Sequence, residues 1–252
     1  MQNAPAPLCP NRRLHALLLL CAVAGSSAGC AFTQRVVLLK EFSPSVPQGL
    51  APQLTGRRVT VEVIDRRLDV EVKWTGTDAI DEAPDRPTRE MAKWETERWD
   101  QERDAVEATT PDAGRTVIGW MRNGFGMHTA NVVAINSPAQ WLGDAIAMEL
   151  GNQGATIVPP AERDTADLQV EATIRYMKVD IYMINWADLV VDLRITPRNA
   201  PPFVRTVHTM GKQVAFSTSG YEFYRCFRRC EQLLVWEMLA DVERVLRAVG
   251  QR

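Results

Sequence analysis

The chain has 252 residues, of which 46% are hydrophobic and 24% are charged. This composition excludes a wholly disordered chain and fits one globular domain, or at most two small ones. The formal net charge is −2, so no basic surplus favours binding to nucleic acid.

Residues 1–29 are predicted to be a secretory signal peptide. Arg12 and Arg13 precede an apolar run from Leu14 to Gly25, and no acidic residue occurs in this segment. A membrane-spanning helix needs about 20 apolar residues, so the run is too short to span a bilayer. A basic start, a short apolar core and an exit of small residues are typical of exported proteins.

Cys30 follows directly on the small residues Ala28 and Gly29, and this arrangement resembles a bacterial lipobox. In such signals the cysteine receives the lipid, including palmitate, and becomes the first residue of the mature chain. Ser27 stands where the pattern usually has leucine. The alternative is an ordinary signal that is cleaved nearby, with no role for Cys30. By resemblance to enterobacterial sorting, Ala31 in place of aspartate implies the outer membrane, with the domain facing the periplasm.

Two of the five cysteines fall within the signal segment, and Cys30 is the predicted lipid site. Cys226 and Cys230 remain, four residues apart on a predicted helix. An oxidising compartment favours a disulfide between them. The nearly parallel side-chain directions on one helical face favour two partly buried thiols instead. Both alternatives stay open at this point.

The mature chain begins with residues 30–56, which are predicted to hold the lipidated cysteine and a tether with a short strand near Val36 to Leu39. Clean alternation of apolar and polar residues from Arg57 to Asp65 predicts a half-buried strand. Residues 57–250 are predicted to form one domain.

Residues 76–115 are predicted to be a charged insertion in this domain. Residues 78–107 alone contain eleven acidic and five basic side chains. A solvated, partly helical segment is the interpretation we prefer. The alternative is a docking arm in which Trp94 and Trp99 contact the body of the protein or a partner.

Strands are predicted at 116–122, 132–135 and 156–158, and a helix is predicted to begin at Ser137-Pro138, where serine suits the N-cap and proline the first turn. Three alternating segments follow, at 168–176, 189–195 and 204–216, and predict an antiparallel meander. A broad apolar stripe predicts a last helix over 221–249 that packs on the sheet. The predicted fold class is α+β, with a mainly antiparallel or mixed sheet, two packed helices and the charged helical insertion.

The order of these elements, together with the lipobox, resembles the YajG family of bacterial lipoproteins, and it is also similar to auxiliary lipoproteins of ABC-type transport systems. The resemblance covers most of 30–249 apart from the insertion. The members of the YajG family have no well-defined activity, so the resemblance implies a lipoprotein fold but does not imply a reaction. The matching positions are Gly56, Val59, Val61, Val63, Asp65, Arg66, Ile118, Gly119, Trp141, Ala145, Glu149, Leu150, Gly154, Asp167, Leu168, Val170, Ile174 and the helix after Tyr221.

No catalytic constellation is evident in the sequence. His128 and His208 are the only histidines of the mature chain, and no GxSxG motif accompanies them. Asp180, Asp188 and Asp192 fall in or near the meander, where they form either a carboxylate cluster for a cation or a solvated face. We therefore predict no metal, no cofactor and no catalysis.

Three hypotheses follow. The favoured one is a non-catalytic, lipid-anchored binding or assembly protein, attached to the membrane through its lipid and partnered by an envelope protein or lipid. The second is an accessory subunit of an ABC-type lipid-transport system, which predicts an apolar groove between the meander and a helix. The third, an envelope hydrolase, predicts a contact of His128 or His208 with a serine or an aspartate.

Overall fold

The computed structural model describes residues 34–42, 46, 52, 54–67, 89–111, 114–122, 127–182, 184–213 and 219–250. Within these residues the predicted α+β class is confirmed, because three α-helices accompany one eight-stranded sheet. The helices are α1 (Arg89–Glu107), α2 (Pro138–Asn152) and α3 (Gly220–Gly250), with a short 3-10 helix at Pro160–Thr165. The strands are β1 (Arg35–Val37), β2 (Arg58–Asp65), β3 (Thr116–Arg122), β4 (His128–Ala134), β5 (Thr156–Val158), β6 (Leu168–Tyr182), β7 (Ile184–Pro197) and β8 (Phe203–Gln213).

The long strand β6 is the centre of the sheet. One of its edges pairs antiparallel with β7, and β7 pairs antiparallel with β8, as the meander prediction required. Its other edge pairs in parallel with β2 and then with β3. Beyond these, β5 pairs in parallel with β2, β4 pairs antiparallel with β3, and β1 pairs in parallel with β4. The predicted tether therefore contributes a strand to the sheet.

A β-bulge in β6 explains why the predicted burial of Tyr176 with Leu168 to Ile174 was wrong. Leu168, Val170, Ala172 and Ile174 are buried, but Tyr176 is not among the buried residues. The register shifts between Ile174 and Tyr176, and an extra residue there reverses the alternation. Apolar side chains beyond the bulge, at Met177 and Val179, are buried instead.

Helices α2 and α3 cover the same face of the sheet. Val63, Ala172 and Leu193 share one row of strand pairing. Helix α2 lies over this row, since a Cβ added to Gly143 would contact the Val63 side chain. Helix α3 packs on β7 and β8 and contacts α2, so the predicted packing of the last helix on the sheet is confirmed. The face of the sheet that α2 and α3 do not cover is called the open face. In the described part of the chain, no helix is long and apolar enough to cross a bilayer.

The residues at the start of α2 form the helix cap that the sequence predicted. The Ser137 hydroxyl accepts a hydrogen bond from Gln140 N, and Pro138 occupies the first turn, as predicted. Helix α1 lies within the charged insertion, whose residues 76–88 fall outside the described ones.

Gly211 sets how closely α3 approaches β8. A Cβ at this position would lie 1.9 Å from Cys226 O, a backbone atom that cannot rotate away. We expect Gly211→Ala to lower the free energy of unfolding by about 1–3 kcal/mol, because overpacking displaces the helix from the sheet. Urea denaturation measures the change. Gly151→Ala, where no atom lies within 4 Å, is the matched control and should be neutral or slightly stabilising. Equal effects of the two substitutions would contradict this packing argument.

Candidate functional site

The segment after β1, residues 38–42, is held to the body by side chains from three helices or their flanks. The indole Nε1 of Trp99 on α1 donates to Leu38 O at 3.1 Å. Asn136 binds both backbone groups of the next residue: Leu39 N donates to its Oδ1 at 2.9 Å, and its Nδ2 donates to Leu39 O at 2.7 Å. This paired geometry fixes the backbone much as a strand partner does.

Two further side chains complete this arrangement. The Nε1 of Trp141 on α2 donates to Lys40 O at 3.0 Å and to Glu231 Oε2 at 3.1 Å. Phe42 N donates to Glu231 Oε1 at 2.8 Å. Glu231 on α3 is completely buried, and this burial raises its pKa well above the ordinary value of 4.5. We call Trp99, Asn136, Trp141 and Glu231 the clamp.

The two tryptophans predicted as anchors have different surroundings. Trp99 is buried and stacks on Tyr224 with ring centres 5.9 Å apart, so it contacts the body and offers no surface to a partner. Trp94 is 61% exposed, and the Arg98 guanidinium lies over its ring at 5.6 Å. Of the pair, Trp94 alone presents its ring to solvent.

Cys226 and Cys230 are free, buried thiols, so the structure does not contain the disulfide that the sequence left open. Cys230 Sγ donates to Ala187 O at 3.2 Å. Burial raises the pKa of Cys226 to about 12, which disfavours the thiolate. Small side chains here allow α3 to approach the sheet next to Gly211, so their role in the structure is packing. Cys30 lies outside the described residues.

The three aspartates considered for a cation do not form a common site. Asp192 Oδ2 accepts from Arg175 Nε at 2.7 Å, and Asp188 Oδ1 lies 2.9 Å from His208 Nε2. Asp180 forms ion pairs with the side chains of Arg122 and Lys178. Among the described residues, no group of three or more histidine, cysteine, aspartate or glutamate side chains is arranged to hold a metal ion.

The histidines lie in separate places on the sheet. His128 Nε2 lies 3.0 Å from Ala130 O, on its own strand. His208 contacts Asp188, so the structure contains the His-to-Asp contact that the hydrolase hypothesis predicted. Three hydroxyl residues follow His208 in the sequence: Ser217 and Thr218 lie outside the described residues, and the Ser219 hydroxyl accepts a hydrogen bond from Glu222 N at 3.4 Å at the start of α3. Because the Ser219 hydroxyl is used at the helix start and the printed partner of His208 is Asp188, the histidine–aspartate pair does not by itself define an active site.

A shallow groove of about 480 Å³ lies between α2, β2, β5 and the 3-10 helix. Its lining includes the apolar residues Val61, Val63 and Ile157 and the polar residues Glu62 and Asp144. The transport hypothesis predicted an apolar groove between the meander and a helix, and this groove lies elsewhere.

Sequence reasoning missed two members of the clamp. Glu231 interrupts the apolar stripe of the last helix, between Cys230 and Leu234. An acidic residue at a core position is rarely buried without a partner, and that mismatch was the available signal. Asn136, which precedes the helix cap Ser137, carried no comparable signal, because asparagine is ordinary in such a turn.

No family model matches the chain, and no curated protein matches it. The structure aligns with protein XCC0632 of Xanthomonas campestris, of the DUF330 family, at 10% identity and a TM-score of 0.47, over 87% of this chain and 100% of that one. It also aligns with an uncharacterised protein at 10% identity and a TM-score of 0.43, over 85% and 99% of the two chains. The hypothetical protein CT253 of Chlamydia trachomatis gives 13% identity and a TM-score of 0.29, over 76% and 99%. At these values the similarity carries no functional argument, and the resemblance to YajG lipoproteins stays a prediction.

Proposed function

We propose that this protein is a lipid-anchored, non-catalytic lipoprotein of the bacterial outer membrane that faces the periplasm and acts as a binding or assembly component. One observation carries the proposal. Only four residues lie between Cys30 and the start of β1 at Arg35, and the clamp then binds residues 38–42 to three helices. A lipid on Cys30 would thus be coupled to the folded domain and not to a long free tether.

The acidic side chains of Glu231 and Asp192 are engaged in hydrogen bonds within the fold, which supports a non-catalytic role. The buried carboxyl group of Glu231 accepts two structural hydrogen bonds within the clamp. Asp192 is bonded to Arg175 and to the Thr206 hydroxyl, which accounts for both of its oxygens. Groups engaged in this way stabilise the fold and are not positioned to activate a substrate.

Replacement of Cys30 tests the anchor. We expect Cys30→Ser to abolish labelling with palmitate and to move the protein from the membrane fraction to the soluble periplasmic fraction, because serine provides no thiol for the lipid. Metabolic labelling and cell fractionation measure both changes. Cys21→Ser, in the same N-terminal segment, is the matched control and should keep the label and the membrane location. A Cys30→Ser protein that stays labelled would refute the lipid site.

Crosslinking in native membranes identifies the partner. Mass spectrometry of captured proteins should return outer-membrane or cell-wall proteins if the role is assembly. Recovery of permease subunits would instead support the second proposal, an accessory subunit of an ABC-type lipid-transport system.

A further inference from the structure

A single row of side chains crosses the open face of the sheet from β4 to β8. Strand pairing aligns Asn131 with Trp120, Trp120 with Asp180, Asp180 with Trp186, and Trp186 with Lys212. Paired residues in a sheet share a face. Trp186 alternates with the helix-facing residues of β7, so the row lies on the open face. Trp120, Asp180, Trp186 and Lys212 are called the tryptophan band.

Basic groups outnumber acidic ones in this band and beside it. Arg122 Nη2 donates to Asp180 Oδ2 at 2.6 Å, and Lys178 Nζ lies 3.6 Å from the same oxygen. Lys178 also lies over the Trp120 ring, 3.8 Å from its centre. Asp180 is 3% exposed, and its Oδ1 has no hydrogen-bond partner among the described residues. Asp188 lies opposite Lys178 on β7, so three basic side chains (Arg122, Lys178 and Lys212) accompany two carboxylates, and a small excess of positive charge remains.

The outer end of the band adds an exposed aromatic ring and another cation. Trp186 is 38% exposed and pairs across the strands with the exposed Lys212. In the next row, Asp188 is bonded to His208. The whole chain has a net charge of −2, so this excess is a local feature; it reaches solvent through Lys212 and Arg122, because the Lys178 side chain is only 12% exposed.

The band lies level with the start of β1. Arg35 pairs with Val132, the neighbour of Asn131 in the row. Four residues separate Arg35 from Cys30 in the sequence, and a chain of that length spans at most about 17 Å. The clamp holds the segment after β1 in place. A lipid on Cys30 would therefore keep this end of the sheet close to the bilayer surface.

We propose that the tryptophan band rests on the anionic phospholipid surface of the membrane that holds the lipid of Cys30. This inference rests on the proposed lipid anchor. Indole rings favour the boundary between headgroups and acyl chains, and lysine and arginine are attracted to anionic headgroups. The contact orients the sheet on the membrane, which an anchor at one point does not do.

Brominated lipids test the contact directly. The full mature chain carries Cys30→Ser and an N-terminal hexahistidine tag, which holds it on vesicles that contain nickel-chelating lipid and brominated phosphatidylglycerol. Bromine quenches the emission of tryptophans that enter the interface. We expect quenching that Trp186→Phe largely removes. Lys212→Gln should lower the quenching with every tryptophan retained, because one basic residue changes the equilibrium constant for contact with an anionic surface about fivefold.

Two controls separate the band from the rest of the domain. Trp236→Phe on α3 and Arg198→Gln, whose side chain is 56% exposed near the far end of β7, should leave the quenching unchanged. Absent quenching, or equal loss in Arg198→Gln and Lys212→Gln, would overturn the proposal and favour a protein partner for this face. Because the tag replaces the lipid, this readout does not depend on lipidation. A failed palmitate label and a failed contact therefore give different results.

Discussion

Trp99→Ala is expected to lower the free energy of unfolding by about 3–5 kcal/mol, the range found when a buried aromatic side chain is removed. The Trp99 side chain is 2% exposed, and its ring lies 5.8 Å from that of Tyr221 and 5.9 Å from that of Tyr224. The substitution also leaves Leu38 O without the indole donor. Urea denaturation measures the loss, and faster proteolysis within α1 should accompany it, because Trp99 is a main attachment of that helix.

Trp94→Ala on the same helix is the matched control. Trp94 is 61% exposed, and its contact with Arg98 is a surface contact. Such substitutions usually change stability by no more than about 0.5 kcal/mol. Similar losses for the two tryptophans would show that α1 is not attached through Trp99.

Glu231→Ala is expected to lower the free energy of unfolding by about 2–4 kcal/mol in mildly acidic solution. The substitution leaves a cavity and removes the acceptor of Phe42 N, and Trp141 Nε1 keeps only Lys40 O. Backbone amides of residues 38–42 should exchange faster with solvent, as hydrogen exchange would measure. Glu243→Ala, which removes a surface pair with Arg247 on the same helix, should cost about 0.5 kcal/mol or less.

The effect of Glu231→Ala should depend on pH in a defined direction. Burial raises the pKa of Glu231, although the hydrogen bonds from Phe42 and Trp141 act in the opposite direction. Between the ordinary pKa and the raised one, the folded state keeps a proton that the unfolded state has lost. The stability that Glu231 contributes is therefore complete below about pH 4.5 and is lost as the pH rises through the raised pKa. The difference between wild type and variant should shrink as the pH rises above about 4.5. A difference that stays constant or grows would contradict this assignment.

The sequence predicted those elements whose signals are local. The start of α2 at Ser137-Pro138 follows from the bonding needs of a helix terminus. The alternation of Leu189, Val191 and Leu193 follows from a strand with one buried face, and these residues are completely buried. The broad stripe of the last helix predicted its packing on the sheet for the same reason.

Features that depend on distant parts of the chain were not predicted. The parallel pairing of β6 with β2 and β3 joins segments far apart in sequence, which no local pattern encodes. The bulge after Ile174 reverses a face that simple alternation assigned to Tyr176. Cys226 and Cys230 were equally compatible with a disulfide and with free thiols until the structure showed both thiols free, with Cys230 Sγ bonded to Ala187 O on the sheet.

By itself, the sequence of this protein determined the α+β class, the meander and the order of the main elements, because apolar periodicity and end signals act over a few residues. The N-terminal signal and Cys30 also predict attachment to the outer membrane, and the described fold does not test this prediction. Only the tertiary structure decided that Trp99 is buried while Trp94 is exposed. Only the tertiary structure also decided that Glu231 holds the segment after β1 and that Trp120, Asp180, Trp186 and Lys212 share one row. These relations arise from packing between elements, whose free energy depends on contacts that no single segment contains.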